Sequence, residues 1–252
     1  MAATPGQPDL PTNRKTFIPL ENNPEVFSHL VHHLGVAPTL GFYDVYSLDS
    51  PDLLAIIPRP AYAVIFICPA AVYFKARKVE NDVMKAYEGS GEAEPVIWFR
   101  QTIRHACGLI GCLHAVSNGG AKAYIQPGSD LDKFLKEAVP LKQAERAQLL
   151  YDSKPIETAH ASAAQKGDTE PPPGNEENGF HFITFVKGED GHLWELNGGM
   201  KGPVDRGVLE DGEDALSEKA LNLGVRTFLG EDVMGDEDYG FSLVALAPKL
   251  DN

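Results

Sequence analysis

The run GFHFITFVKGEDGHLWELNGG, residues 179–199, leaves this chain few choices. Two stretches rich in β-branched and aromatic residues flank a polar turn with Asp190-Gly191 in it, so the segment reads as an antiparallel hairpin. An isolated hairpin is marginal in water and needs further strands or a packed helix. Downstream of it stand only a helical stretch in DALSEKALNLGVRTFLG and a last strand in YGFSLVALAP, too little to bury a core of its own. The hairpin must therefore join strands from upstream. YAVIFICP, residues 62–69, is a continuous apolar run suited to a buried strand, and VIWFRQT, residues 96–102, reads as another. The outcome is one α/β domain, and 252 residues suffice for a single well-buried core.

Helices punctuate the rest. In NNPEVFSHLVHHLGV, Asn23 can cap, Pro24 fits the first helical position, and Phe27, Leu30, Val31 and Leu34 make an apolar stripe that Gly35 ends. A second helix can open at Ser129 in SDLDKFLKEAV, and AERAQLLYD continues as helix. Residues 153–178, SKPIETAHASAAQKGDTEPPPGNEEN, carry four prolines and no sustained period, so they read as a long loop projecting from the domain. Residues 1–14, rich in Pro and polar side chains, read as a mobile tail ahead of a domain over 15–252.

The formal net charge of −14 opposes nucleic acid and anionic lipid; it serves either a basic partner or solubility. No run of eighteen apolar residues is present, so no membrane-spanning helix is expected, and the first residues lack the apolar core of a signal peptide. Three cysteines without framework spacing suit a reducing compartment, cytosol or nucleus. G-x-S-x-G and a phosphate-binding glycine loop are both absent, which disfavours a serine hydrolase and a nucleotide enzyme.

Chemistry converges on QTIRHACGLIGCLHA, residues 101–115. If a helix starts at Cys107, its free N–H groups sit beside the sulfur and favour thiolate, a placement that can bring a thiol to about 3.5–7.5. A lone cysteine in an apolar stretch is nonetheless more often packed, the reading given to Cys68 and Cys112. A nucleophile needs a base and a group to orient it. His114 stands about 10 Å along the same helix, out of reach. His29, His32 and His33 have zinc-like spacing but no cluster to complete four ligands, and read as a solvated face. His160 lies in the loop. His181 opens the first hairpin strand and Asn197 ends the second; a five-residue loop over 187–191 sets Val186 opposite His192 and His181 opposite Asn197. An amide oxygen there can accept from one imidazole nitrogen and leave the other for a thiol. Gln101 and the backbone N–H of Cys107 can serve a developing oxyanion.

With these residues assembled, the chain resembles the ubiquitin carboxyl-terminal hydrolases, papain-like cysteine deubiquitinases, and among them the small single-domain members. The resemblance runs from Phe17 to Pro248 through PLENNPEV, GFYDVYSLD, LLAIIPRPAYAVIFI, QTIRHACGLIGCLHA, GSDLDKFL, FHFITFV and GHLWELNGG. It implies an α/β (α+β) fold with a mostly antiparallel central sheet flanked by helices, a knotted chain path, and residues 153–178 as a crossover loop over the active site. It makes Cys107 the nucleophile, His181 the base, Asn197 the orienting residue and Gln101 the oxyanion donor. Glu21 and Asp44 would meet arginines in the basic, Gly-Gly-ended tail of ubiquitin. Ubiquitin and its C-terminal adducts, preferably small or unfolded, are the implied partners of a monomer that needs no cofactor. Three positions depart from the family's habit: Asn197 replaces Asp, His105 replaces Asn and Leu109 replaces Thr. The first admits an alternative, a ubiquitin-binding module with weak or no turnover.

Overall fold

A computed structural model describes residues 14–169, 179–230 and 240–249. Among these, the hairpin strands β3 (Phe180–Lys187) and β4 (His192–Leu196) do join upstream chain. β2 (Ala63–Pro69) pairs along its whole run with β3, from Ala63 opposite Val186 to Pro69 opposite Phe180. With β1 (Leu40–Asp44), β5 (Val204–Val208) and β6 (Ser242–Pro248) they build a six-stranded sheet of order β1-β6-β2-β3-β4-β5. Every neighbouring pair is antiparallel, as expected.

Successive side chains of a strand point to opposite faces, and here both faces are covered. Ile65, Ile67, Phe182 and Val186 pack under the buried faces of α1 (Pro24–His33) and α4 (Cys107–Val116). Val64, Phe66, Cys68, Ile183 and Phe185 pack on the other side against Leu54 of the short α2 (Pro51–Leu54), against Tyr73 and Phe74 of α3 (Ala70–Val83), and against Leu221 and Phe228. That two-sided cover is why β2 is a continuous apolar run. All ten residues of α4 are buried. The helix is seated on the sheet by Thr184, whose Oγ1 donates to the carbonyl of Gly111 at 3.0 Å.

The expected caps are present. Asn23 accepts from the N–H of Glu25, and Ser129 caps α5 (Asp130–Ala138). The AERAQLLYD helix is α6 (Gln143–Asp152). Three expectations are corrected. VIWFRQT is not a strand: its backbone is satisfied by side chains, with Ile97 N–H on Asn118 Oδ1 at 2.7 Å and Phe99 N–H on His114 Nε2 at 2.9 Å. The stretch 153–178 is not loop throughout, because Lys154–Ala164 forms α7, capped by Ser153 and started by a proline. Residues 170–178 of that stretch, and residues 1–13 of the expected tail, lie outside the described residues. Finally, the hairpin register differs. Val186 faces Trp194 and Lys187 faces Leu193, since Gly188 N–H closes a shorter loop on the carbonyl of His192 at 2.8 Å. The shift is two residues, so each side chain keeps its face.

Candidate active site

Cys107 opens α4 at the end of the sheet, 7% exposed. Its sulfur receives the backbone N–H groups of Gly108, of Cys107 itself and of Phe182 on β3, all of which favour thiolate. Burial is the larger effect and holds the thiol up at about 11, against the expected depression. Cys68, equally dry, is pushed to about 12, and Cys112 is raised by burial alone. Both are buried as expected. Helix-terminal N–H groups therefore oppose desolvation at Cys107 without overcoming it. A second ionised partner is needed to make thiolate.

His181 is the residue before Phe182, so the imidazole and the N–H group that holds the sulfur are consecutive on one strand. Its Nε2 lies 2.8 Å from Asn197 Oδ1. An amide oxygen only accepts, so Nε2 donates and Nδ1 is the nitrogen that can face a thiol. The register correction explains the contact. With Thr184 opposite Leu196, Asn197 is a diagonal rather than direct neighbour of His181. It reaches because the chain leaves the strand at Asn197, in a turn where Oδ1 also accepts from Gly199 N–H at 2.8 Å. The ring packs on Tyr73 and Phe74, at 5.6 and 5.3 Å between centroids. Burial lowers the imidazole's pKa, opposed by the bond to Asn197. Thiol and imidazole are thus both neutral here.

Gln101 is brought to the same place. Its N–H donates to the carbonyl of Gly198 at 2.9 Å, and its side-chain Nε2 donates to Ile103 O at 3.3 Å. A Cβ on Gly198 would stand 2.9 Å from Gln101 N and 3.0 Å from Phe99 O, so only glycine lets the 99–101 segment lie against the turn that carries Asn197. Phe182, whose N–H reaches the sulfur, also lines a cleft of about 370 Å³ together with Leu20, Asn22, Phe180 and Phe241. Phe180 and Phe241 leave 47% and 43% of their surface to solvent, an apolar rim for an extended ligand.

The model of the family described as ubiquitin carboxyl-terminal hydrolase, family 1, matches residues 17–229. This chain belongs to that family. It is a cysteine-type deubiquitinating hydrolase. Ubiquitin carboxyl-terminal hydrolase 3 of Arabidopsis thaliana is 36% identical over 78% of this chain and 82% of its own. Ubiquitin carboxyl-terminal hydrolase isozyme L1 of Rattus norvegicus is 37% identical over 81% and 88%. The fold matches the Trichinella spiralis UCH37 catalytic domain, crystallised bound to ubiquitin vinyl methyl ester, with a TM-score of 0.69 at 19% identity over 94% of this chain and 97% of that one.

Against the family's pattern, His105 is informative. Its φ is +59°, the left-handed region that Asn, the family's usual residue, visits readily. Glu21 does not stand free for a ligand: its Oε2 accepts from Thr169 N–H at 2.9 Å and Thr169 Oγ1 at 2.7 Å, and these bonds lower its pKa. Asp44 ends β1, and burial raises its pKa. The histidines set aside in the sequence have structural work. His29 Nε2 bonds Ser162 at 2.9 Å and His32 Nε2 bonds Leu40 O at 2.7 Å, so α1 does not present a simply solvated face there. His160 is buried in α7 with Nε2 on Ile18 O at 2.8 Å.

Sequence reading missed a buried ion cluster beneath the site. Glu195, 1% exposed, meets Arg77 at 2.9 Å, Arg206 at 2.8 Å and the hydroxyl of Tyr73 at 2.8 Å. One signal was available: a glutamate in the middle of WEL, at an inward position of a strand that is otherwise apolar.

Proposed function

We propose that Cys107 is the nucleophile, His181 the general base and acid, Asn197 the residue that orients it, and Gln101 an oxyanion donor, in hydrolysis at the C-terminal glycine of ubiquitin. The observation that carries this is the 2.8 Å bond from His181 to Asn197 beside a sulfur held on the N–H of Phe182. Nδ1 of His181 takes the thiol proton as sulfur attacks the glycine carbonyl carbon. The tetrahedral oxyanion accepts from Cys107 N–H and from Gln101 Nε2, which leaves Ile103 O for it. Collapse expels the amine, which takes the proton back from His181, and water, activated by the same imidazole, releases the acyl group from sulfur. Because burial keeps both groups neutral in the free protein, the thiolate–imidazolium pair forms as substrate fills the cleft.

The cleft beside Leu20 and Asn22 receives the basic tail of ubiquitin, whose arginines meet Asp44 and, once it gives up its bonds to Thr169, Glu21. The preference is for small or unfolded adducts. Thr169 is bonded to Glu21 and Phe180 lines the cleft, so the connection between them starts and ends at the rim. Between the end of α7 at Ala164 and the start of β3 at Phe180 lie fifteen residues, a contour of at most about 50 Å, and the widest ring such a contour could close is about 16 Å across. A folded domain of ~100 residues is roughly 34 Å across and does not pass. The free cysteines support a reducing compartment, cytosol or nucleus, as the place of action.

The test is turnover of a fluorogenic ubiquitin C-terminal amide, with folded di-ubiquitin as competitor substrate. The expected result is turnover of the amide, its loss in Cys107→Ala with ubiquitin binding retained, and little di-ubiquitin cleavage. An electrophile on the ubiquitin C-terminus should label Cys107 alone, and label on Cys112 would refute the assignment. A second reading is favoured by the raised thiol and by Asn in place of Asp: a binding module. Tight ubiquitin binding without turnover would establish it instead.

A further inference from the structure

Asparagine at position 197 creates a difficulty that aspartate would not. A carboxylate offers an oxygen whichever way it turns, whereas a carboxamide turned by 180° exchanges its oxygen for an NH2. Turned so, Asn197 would aim N–H at the N–H of Gly199 and would bond His181 only if Nε2 gave up its proton. The imidazole proton would then sit on Nδ1, the nitrogen that has to receive the proton of Cys107. Something must hold the oxygen on the histidine side.

Gly199 N–H, at 2.8 Å from Oδ1, holds one end. The other end, Nδ2, is fully buried and has no hydrogen-bond partner among the described residues. The acceptor on offer is the hydroxyl oxygen of Tyr73. Burial first, and then Glu195, keep that phenol protonated, while the neighbouring Asn197 amide acts in the opposite sense, as an N–H near the oxygen does. Tyr73 is 0% exposed and its ring lies 5.6 Å from that of His181. What makes its oxygen an acceptor is the carboxylate behind it. Tyr73 Oη donates its only proton to Glu195 Oε1 at 2.8 Å, so lone pairs are left for the amide. Glu195 is well placed to go on accepting that proton's hydrogen bond. Burial opposes its charge, but Arg77 at 2.9 Å and Arg206 at 2.8 Å hold it ionised. Arg206 is itself clamped by Glu80 at 2.7 Å, and Arg77 also donates to Thr227 at 2.9 Å. Glu195 therefore stays an acceptor and has no proton to give to Tyr73.

We propose that Tyr73, with its proton held by Glu195, fixes the Asn197 carboxamide and through it the Nε2–H tautomer of His181, so that a neutral amide does the orienting work of a carboxylate. Both are positioning residues, and the inference rests on the reading of His181 as base and Asn197 as its orienter. The buried charge lies one hydrogen bond further from the imidazole than in an enzyme with aspartate at this position.

The test is a mutant cycle on kcat for the fluorogenic ubiquitin amide, with Tyr73→Phe made in the native chain and in the N197D background. Phe keeps the ring and removes only the acceptor. In the native chain Tyr73→Phe should lower kcat about tenfold or more, with KM unchanged, because part of the population holds the wrong tautomer. In the N197D background, where rotation of the group changes nothing, the same substitution should change kcat less than about twofold. Equal losses in both backgrounds would mean that Tyr73 only packs, and no loss in the native chain would also overturn the proposal. Imidazole ¹⁵N shifts of the native protein need no variant: an Nε2–H signature for His181 is expected, and an Nδ1–H signature would refute the idea. Full turnover by His181→Ala would refute the assignment of the base itself, a result separate from the behaviour of Tyr73.

Discussion

Asn197 and His105 carry the sharpest consequences at the scale of single residues. Replacing Asn197 by Asp sets a negative charge 2.8 Å from Nε2 of His181, where a neutral oxygen now accepts. Charge favours the imidazolium, so the histidine's pKa rises from its burial-lowered position. In the profile of kcat/KM against pH, the limb that reports the histidine should move to higher pH, with activity equal to or above the native value. An unmoved profile, or full activity in Asn197→Ala, would remove the orienting role. His105 raises a separate matter of backbone conformation. At φ +59° a β-carbon is crowded, and Asn tolerates the region better than other non-glycine residues. His105→Asn should raise stability by roughly 0.5–1 kcal/mol, read as a higher urea midpoint with unchanged slope. A lower midpoint would show that contacts of the histidine ring outweigh the strain.

Elements bring these residues together by close backbone approach. The 96–102 segment has no strand partner, yet it is tied to α4 through His114 and Asn118 and to the β4 turn through Gly198. Gly198→Ala should therefore push Gln101 and Asn197 apart. A Cβ at 2.9–3.0 Å from backbone atoms cannot be relieved by a rotamer change, and overpacking of this kind costs about 1–3 kcal/mol. We expect that loss of stability together with a fall in turnover of about tenfold or more. Gly212, where a Cβ meets nothing within 4 Å, is the control and should tolerate Ala without effect. At this scale the sequence was readable wherever local chemistry decides: the Asn23 and Ser129 caps, the hairpin, the strand 63–69 and the helix opening at Cys107. It misled at 96–102 and at 154–164. The first is apolar because it is buried, and its hydrogen bonds go to side chains distant in sequence. The second has a good start at Ser153, but its buried face, Ile156, Ala159, His160 and Ala163, holds one large apolar side chain and makes a faint stripe until α1 and Ile18 cover it.

Taken whole, the molecule buries several histidines neutral, and this sets its response to acid. His114 accepts from Phe99 N–H, and burial depresses it to about 3; His160 donates to Ile18 O, and burial depresses it to about 4. Unfolded, both titrate near 6.5. Between about 4 and 6.5 the unfolded chain holds two protons that the folded one refuses, so stability falls as pH drops through that window and is fully present above it. Each histidine contributes on the order of 1.4 kcal/mol per pH unit there. The urea midpoint should fall steadily from pH 7 to pH 4.5, and His160→Gln, which keeps a donor for Ile18 O but does not titrate, should flatten the slope. An unchanged slope would place the acid sensitivity elsewhere.

Ordered short motifs, each a matter of neighbouring residues, were enough to indicate the family and its sheet and to single out Cys107, His181, Asn197 and Gln101 as candidates. The protonation state of the thiol was not among the things they could decide. Proximity to a helix start argues for thiolate, and only the packed structure shows that desolvation outweighs it, because burial depends on residues from α1, α4 and β3 that are far apart in the chain. The same holds for the hydrogen-bond path from Glu195 through Tyr73 to Asn197. Glu195 and Asn197 are near in sequence, but Tyr73, Arg77 and Arg206 come from α3 and β5, and a side chain's partner across the core is set by how whole elements pack.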